Sequence, residues 1–283
     1  MEIKLAGSVE VAREINPEIA IEAEWGANYI EGSKLTLNHH GVNSDNPAPC
    51  IAEISCKDCF DDDTIVLSHI DLDSIGGVLN VQRDDLWVKN KKFWRAVAFV
   101  DVNGPHKLST YKELTDKEEK QIYAWWAWSQ DNRAPRCQND TSIDVSEYIQ
   151  ECRVALDKIL NGDVEMLEKG IAFKKAEQEL NASSYVSSRG DVILRSADTF
   201  VNHLYTTPAG TICKVVVAYN TKYKSITISK ADSDNDIDCC SIIQSEFGEE
   251  AGGHKGIAGS PRGVEYSFDD ASKFYIRVQK ELQ

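Results

Sequence analysis

Five of the six histidines in this chain lie in motifs that follow strand-like runs or inside a glycine-rich stretch, and those are the residues whose types and spacing could do chemistry. His69-Ile70-Asp71-Leu72-Asp73 lies at the C-terminal end of Thr64–Ile70, which contains a short apolar, β-branched run with the pattern of a buried strand. Asn38-His39-His40-Gly41 follows Lys34-Leu35-Thr36-Leu37, a second strand-like run. Asp101-Val102-Asn103-Gly104-Pro105-His106 follows Ala96–Val100, read as a third buried strand. Carboxylates and imidazoles crowded at strand ends repel and desolvate one another unless a cation neutralises them, so a divalent metal is the simplest reason for the pattern. Repetition matters more than any one case, because random placement would scatter these residues. His203 falls outside the pattern and reads as an ordinary, partly buried histidine.

The elements that must position these groups can be sketched from the same sequence. Ser74 is expected to open a helix through about Leu86, with Gly76 and Gly77 allowing close packing. Met1–Ala6 alternates like a strand, residues 9–21 give mixed signals around Pro17, and Cys50–Ser55 reads as a short strand. A helix from Thr115 to about Trp128 carries Tyr123, Trp125, Trp126 and Trp128, which could stack bases but read more simply as packing. The loop 132–140 offers Arg133 and Arg136 for phosphate contacts. Asp144-Val145-Ser146-Glu147 resembles a capping box for a helix through Leu160, and a further helix is expected to about Leu180, with a polar linker over 181–190. Strands are then expected at 192–194, 212–219 and 225–229, and a helix over 237–247. The stretch Gly252-Gly253-His254-Lys255-Gly256-Ile257-Ala258-Gly259 follows, its backbone amides and its His254 and Lys255 suited to an anion. A last helix is capped by Ser267 to Asp270.

Composition sets outer limits. With 283 residues and a formal net charge of −15, the chain can hold two domains but will not coat long nucleic acid by bulk electrostatics. A local basic pocket for a nucleotide or short oligonucleotide remains compatible with that charge. No leader-like segment and no apolar run of membrane-spanning length is evident, so a cytoplasmic protein without membrane partners is expected. Its eight cysteines read as reduced thiols. Cys56-Lys57-Asp58-Cys59 lacks the second pair that a structural zinc site requires, and the acidic loop 232–236 lacks the glycine and glutamate of a calcium loop.

Two of these motifs together resemble the DHH phosphoesterase superfamily with its C-terminal DHHA1 domain. His69-Ile70-Asp71-Leu72-Asp73-Ser74-Ile75-Gly76-Gly77 is similar to the family's first motif and Phe99-Val100-Asp101 to its second. Gly252–Gly259 resembles the DHHA1 signature. The chain departs from the family in having no Asp-His-His triplet after Asp101. Its one histidine pair lies upstream, with Asn38 in place of aspartate. Either the sheet is permuted so that this strand takes the usual triad position, or the triad is degenerate and His106 substitutes. The identity of the last acidic ligand stays open, with Asp58, Asp61 and Asp140 as choices.

The resemblance implies an α/β fold: a mostly parallel open sheet with flanking helices over residues 1–143, a helical connector over 144–190, and a smaller α/β domain over 191–283. It further implies that Asp71, Asp73 and Asp101 hold one or two Mn²⁺ or Mg²⁺ ions, with Asp101 bridging. His39 and His69 would be ligands, and His40 would reach the phosphate or leaving oxygen. Gly252, Gly253, His254 and Lys255, with His106 as a further contact, would grip the substrate. The expected activity is hydrolysis of a small phosphodiester (a short oligonucleotide, cyclic dinucleotide or nucleotide) by metal-activated water. The alternative is a nucleotide- or RNA-binding protein on the same scaffold that has lost catalysis. Self-association into a homodimer is compatible with either.

Overall fold

The computed structural model describes residues 1–25, 28–40, 43, 45–54, 63–232 and 236–282. The chain divides into two compact units, Met1–Lys174 and Lys175–Gln283. Cys56, Cys59, Asp58 and Asp61 lie outside the described residues, as does most of the acidic loop 232–236.

The first unit runs β1 (Glu2–Ala6), α1 (Val9–Ile15), β2 (Ile19–Ile21), β3 (Glu24–Trp25), β4 (Asn28–Tyr29), β5 (Leu35–Leu37), β6 (Thr64–Leu67), α2 (Leu72–Val81), α3 (Asp85–Lys89), α4 (Lys91–Asn103), α5 (Asp116–Asp131), β7 (Ser142–Asp144) and α6 (Ser146–Leu160), and the division falls within α7 (Val164–Ser183). Among the described residues its main sheet has the order β5-β2-β6-β1-β7. All neighbours in it pair parallel except β7, which runs antiparallel to β1. This is the expected α/β class with a mostly parallel sheet. Alternation sorts the strands' side chains onto two faces. Ile3, Leu5, Ile19, Ile21, Ile65 and Leu67 join the large core with α2, α4, α5 and α6. Ala6, Ala20 and Val66 meet the smaller cluster around α1.

Several local expectations are corrected. The run Ala96–Val100 is the C-terminal half of helix α4, so Asp101 sits in a helix's last turn and not at a strand end. Five consecutive apolar residues carry no period of their own. Burial of Phe93, Trp94, Ala96, Val97 and Ala98 over thirteen residues fits a helix, which Gly104 ends at φ +89° before Pro105. Over the described residues 50–54 no strand forms: Pro49–Ile51 is a 3₁₀ turn. Helix α2 begins earlier than expected, because Asp71 is its N-cap and Ser74 its third residue, each capping the other's backbone. A Cβ at Gly76 would stand 2.4 Å from Cys50 Cβ, and one at Gly77 2.7 Å from Pro49 Cβ, so both glycines are required for close packing. Asp144 accepts from Ser146 N, but Val145 is the N-cap, so no capping box forms at α6.

The second unit holds β8 (Tyr185–Arg189), β9 (Val192–Ala197), β10 (Val215–Asn220), β11 (Ser225–Lys230), α8 (Cys239–Phe247), β12 (Gly252–His254), β13 (Ile257–Gly259) and α9 (Phe268–Glu281). Its sheet order is β12-β13-β11-β10-β9-β8, with β9 and β10 parallel and the remainder antiparallel. Helices α8 and α9 cover one face through Ile243, Phe274 and Val278. The polar stretch expected as a linker is instead the end of α7 followed by β8, which pairs along β9. The glycine-rich stretch is a β-hairpin and not an open loop. At Gly253 (φ +151°) a Cβ would meet Ile257 O at 2.5 Å, which is why the pairing needs glycine there. The six cysteines among the described residues are free thiols.

Candidate metal centre

The site gathers at the carboxyl ends of β2, β5 and β6, where open parallel sheets collect ligands. Strand β2, wholly buried, ends in Glu22, which no sequence motif had singled out. Glu22 adopts φ +47°, a conformation unfavourable for a residue with a Cβ. Its backbone is clamped there: Glu22 N donates to Leu37 O, and both Ser68 N and Ser68 Oγ donate to Glu22 O. Strain held by surrounding bonds at a polar side chain is a recurrent mark of a functional position. The available signal was a short apolar triplet followed by an acid, obscured by Pro17 just upstream.

Beyond β5 the chain carries Asn38, His39 and His40. Asn38 is buried and structural: its Oδ1 accepts from Ala23 N at 3.1 Å and its Nδ2 donates to Ile30 O at 3.3 Å. His39 is buried among three carboxylates. Its Nε2 lies 3.0 Å from Asp101 Oδ2, 3.4 Å from Asp73 Oδ2 and 3.5 Å from Glu22 Oε1. His40, half-exposed, stacks 4.1 Å from the His39 ring and places Nε2 3.0 Å from Glu22 Oε2 and 4.0 Å from Asp101 Oδ2. Asp73 enters from the first turn of α2, its other oxygen accepting from Cys50 N at 3.0 Å. Asp101 enters from the last turn of α4.

Three overlapping groups have ligand atoms within 4.8 Å of one another: Glu22, His39 and Asp73; His39, His40 and Asp101; and Glu22, His40 and His69. Asp71 belongs to none of them. Its Oδ1 caps α2 at Ser74 N, and its Oδ2 lies 3.4 Å from His69 Nε2. His106 stands on the 3₁₀ turn Pro105–Thr110, where a Cβ at Gly104 would meet its ring at 2.6 Å, and also lies outside the groups. Asp140 is exposed and likewise apart. Gly252, Gly253 and Lys255 lie on or beside the hairpin of the second unit. The His254 side chain is outside what the structure describes.

Within the cluster the groups face one another at ion-pair distances, yet several of the facing atoms do not meet hydrogen-bond geometry. Both oxygens of Glu22, Oδ2 of Asp73, Oδ2 of Asp101 and Nε2 of His39 are buried without a hydrogen-bond partner. Such groups cost free energy unless something pairs with them. Burial raises the Glu22 carboxyl above its usual value. For His39, burial alone would lower the pKa, but Asp101, Asp73 and Glu22 outweigh it and lift the imidazole to about 10. Glu22 holds His40 above its usual value, and Asp71 does so for His69 against the effect of burial. Asp71 is lowered, since His69 and the Ser74 bonds together overcome burial. Carboxylate and imidazole groups converging from four elements could hold a metal ion.

No family model matches the chain, and no curated protein matches it either. Among solved structures it is similar to PggH, a pGpG-specific phosphodiesterase from Vibrio cholerae, at 13% identity and a TM-score of 0.40, covering 90% of this chain and 80% of that one. It is also similar to an uncharacterized protein from Helicobacter pylori G27, at 12% identity and a TM-score of 0.22, covering 90% and 76%. Scores of this size leave the function to be argued from the site itself.

Proposed function

We propose that this protein is a metal-dependent phosphoesterase that hydrolyses a small phosphodiester. One observation carries the reading: Glu22, His39 and Asp73, with Asp101 in an overlapping group through His39, bring buried ligand atoms together. The resemblance of Asp71–Gly77 and Gly252–Gly259 to DHH and DHHA1 motifs supports the same reaction class. A divalent cation held there would supply an acidified water and neutralise phosphate charge.

The chain's own residues would divide the work. Glu22, His39 and Asp73, all buried, would fix the inner ligand positions, and Asp101 would close the set from α4. His69 stands beside Glu22 and His40 as a further ligand. His40 has 46% of its side chain exposed, which leaves it free to contact a phosphate or the leaving oxygen. Asp71, by capping α2 and bonding Ser74, would hold Asp73 in place through the helix, a positioning role. The asparagine before the histidine pair does not argue for lost catalysis, because Glu22 supplies a carboxylate beside His39 while Asn38 secures the backbone.

Purified protein should hydrolyse bis(p-nitrophenyl) phosphate with added Mn²⁺ and lose that activity on chelation. Asp101→Asn should lose it while keeping the native circular dichroism spectrum. A wild-type protein that binds Mn²⁺ stoichiometrically yet hydrolyses no phosphodiester would favour the binding-protein alternative.

A further inference from the structure

Ser68 directly follows β6 and stands between two members of the cluster. Its backbone N donates to Glu22 O at 3.2 Å, and its Oγ donates to the same carbonyl. The same Oγ lies 2.9 Å from His69 Nδ1. Glu22 and His69 belong, with His40, to one of the groups whose ligand atoms fall within 4.8 Å of one another. One hydroxyl therefore joins the main chain of one candidate ligand to the ring of another.

Counting protons fixes the direction of each bond. A carbonyl oxygen only accepts, so the Glu22 contact uses the single proton of the Ser68 hydroxyl. Oγ then meets His69 as an acceptor, and Nδ1 carries the hydrogen. A neutral imidazole has one N–H and one lone pair, which leaves the lone pair on Nε2. Nε2 is also the ring atom turned toward Asp71, 3.4 Å from its Oδ2. We propose that Ser68 is a positioning residue of the metal centre: by accepting from His69 Nδ1 it locks the ring in the tautomer that offers Nε2 to a cation. An acceptor on the far ring nitrogen both orients a metal-binding histidine and raises its basicity. Here that acceptor is tied in turn to Glu22, whose left-handed backbone (φ +47°) it helps to hold. A side chain that coordinates nothing thus sets two ligands relative to one another.

The inference rests on the phosphoesterase reading for the cation at this cluster, and its test reads protonation and binding, not turnover. The full chain with ¹⁵N-labelled histidine, loaded with diamagnetic Zn²⁺, should show His69 protonated at Nδ1 and without hydrogen at Nε2. Ser68→Ala should lose the protected Nδ1 proton and weaken Mn²⁺ binding, measured by calorimetry, by about tenfold or more. Ser68→Thr keeps a hydroxyl in place and should bind within about twofold of the parent. In a His69→Ala background, Ser68→Ala should cost no more than about twofold further, because the ring it acts through is gone. A wild-type spectrum with the hydrogen on Nε2 would overturn the assignment without any substitution. Equal Mn²⁺ losses from Ser68→Ala with and without His69 would overturn it too, and a wild-type chain that takes up no cation would overturn both readings. A parallel assay of bis(p-nitrophenyl) phosphate keeps the two apart. Coupling without hydrolysis supports the role of Ser68 and removes the phosphoesterase reading, whereas hydrolysis without coupling removes the role of Ser68 alone.

Discussion

Arg195 in the second unit and the Glu22–His39–Asp73–Asp101 group in the first are both charge taken out of water, yet their surroundings differ in kind. Arg195 is fully buried on β9, and every branch of its guanidinium is engaged. Nε donates to Leu204 O at 2.5 Å, and Nη1 donates to Asn181 O at 2.8 Å and Ser184 Oγ at 2.9 Å. Nη2 donates to Thr206 O at 2.6 Å and to Asn181 Oδ1. The acid group, by contrast, keeps five atoms without hydrogen-bond partners. Five donors answered by five acceptors make a closed structural node that ties α7, β9 and the loop over 204–206 together. Open valences converging on a point make a site. Burial of charge therefore does not by itself identify function; what distinguishes the two is whether the polypeptide completes the bonding.

Substitutions should separate the two regions in opposite directions. Glu22→Gln removes a charged ligand while keeping the side chain's size and backbone conformation, so Mn²⁺-dependent hydrolysis should fall by at least about a hundredfold, the upper end of what outer-shell partners of a metal cost. The metal-free variant should stay folded, losing only the part of the histidine ion-pairing that Glu22 supplies. Arg195→Met should do the reverse. It orphans the carbonyls of Asn181, Leu204 and Thr206, each worth about 1–3 kcal/mol when left unpaired, so urea titration should show a loss of about 3 kcal/mol or more. Mn²⁺ uptake by the first unit should persist below the unfolding transition.

A smaller effect is expected at Asn38. Asn38→Ala should cost about 1–3 kcal/mol by leaving Ala23 N unsatisfied, with metal stoichiometry unchanged. If Asn38 were instead a ligand, metal uptake would fall and stability would not.

Proton linkage sharpens the contrast further. His39 is raised to about 10 from an ordinary value of 6.5 in the metal-free protein. Its contribution to stability is therefore complete below pH 6.5 and lost as pH climbs toward 10. A cation competes with that proton, so Mn²⁺ binding should release protons at pH 7.5 and tighten with rising pH. Calorimetry in buffers of different ionisation enthalpy reads the release directly, and a proton-independent affinity would remove His39 from the ligand set.

How much of this was legible before the structure depends on which residues carried a local signal. Strand β6 was plain from its β-branched residues, and helix α2 was foreseen except for its ends, since Asp71 and not Ser74 is its N-cap and it stops at Val81. His39, Asp73 and Asp101 were named from type and spacing, and the fold brings them together. The element under Asp101 was misread, because Ala96–Val100 satisfies a strand and a helix equally and only packing of Phe93 and Trp94 decides between them. Glu22 went unseen since a three-residue strand after Pro17 gives almost no periodicity. Its left-handed backbone is set by bonds to Leu37 and Ser68, which are distant in the chain. The two roles of Asn38 and Arg195 were equally hidden, for their partners are backbone groups that composition cannot reveal.

The most direct test counts metal. Wild-type protein stripped by chelation and titrated with Mn²⁺ should take up at least one equivalent and gain thermal stability, about 2.7 kcal/mol at a hundredfold excess over Kd. Asp73→Asn and Glu22→Gln should stay folded and lose that uptake. A wild-type chain that binds no divalent cation, or variants that bind it undiminished, would contradict the account.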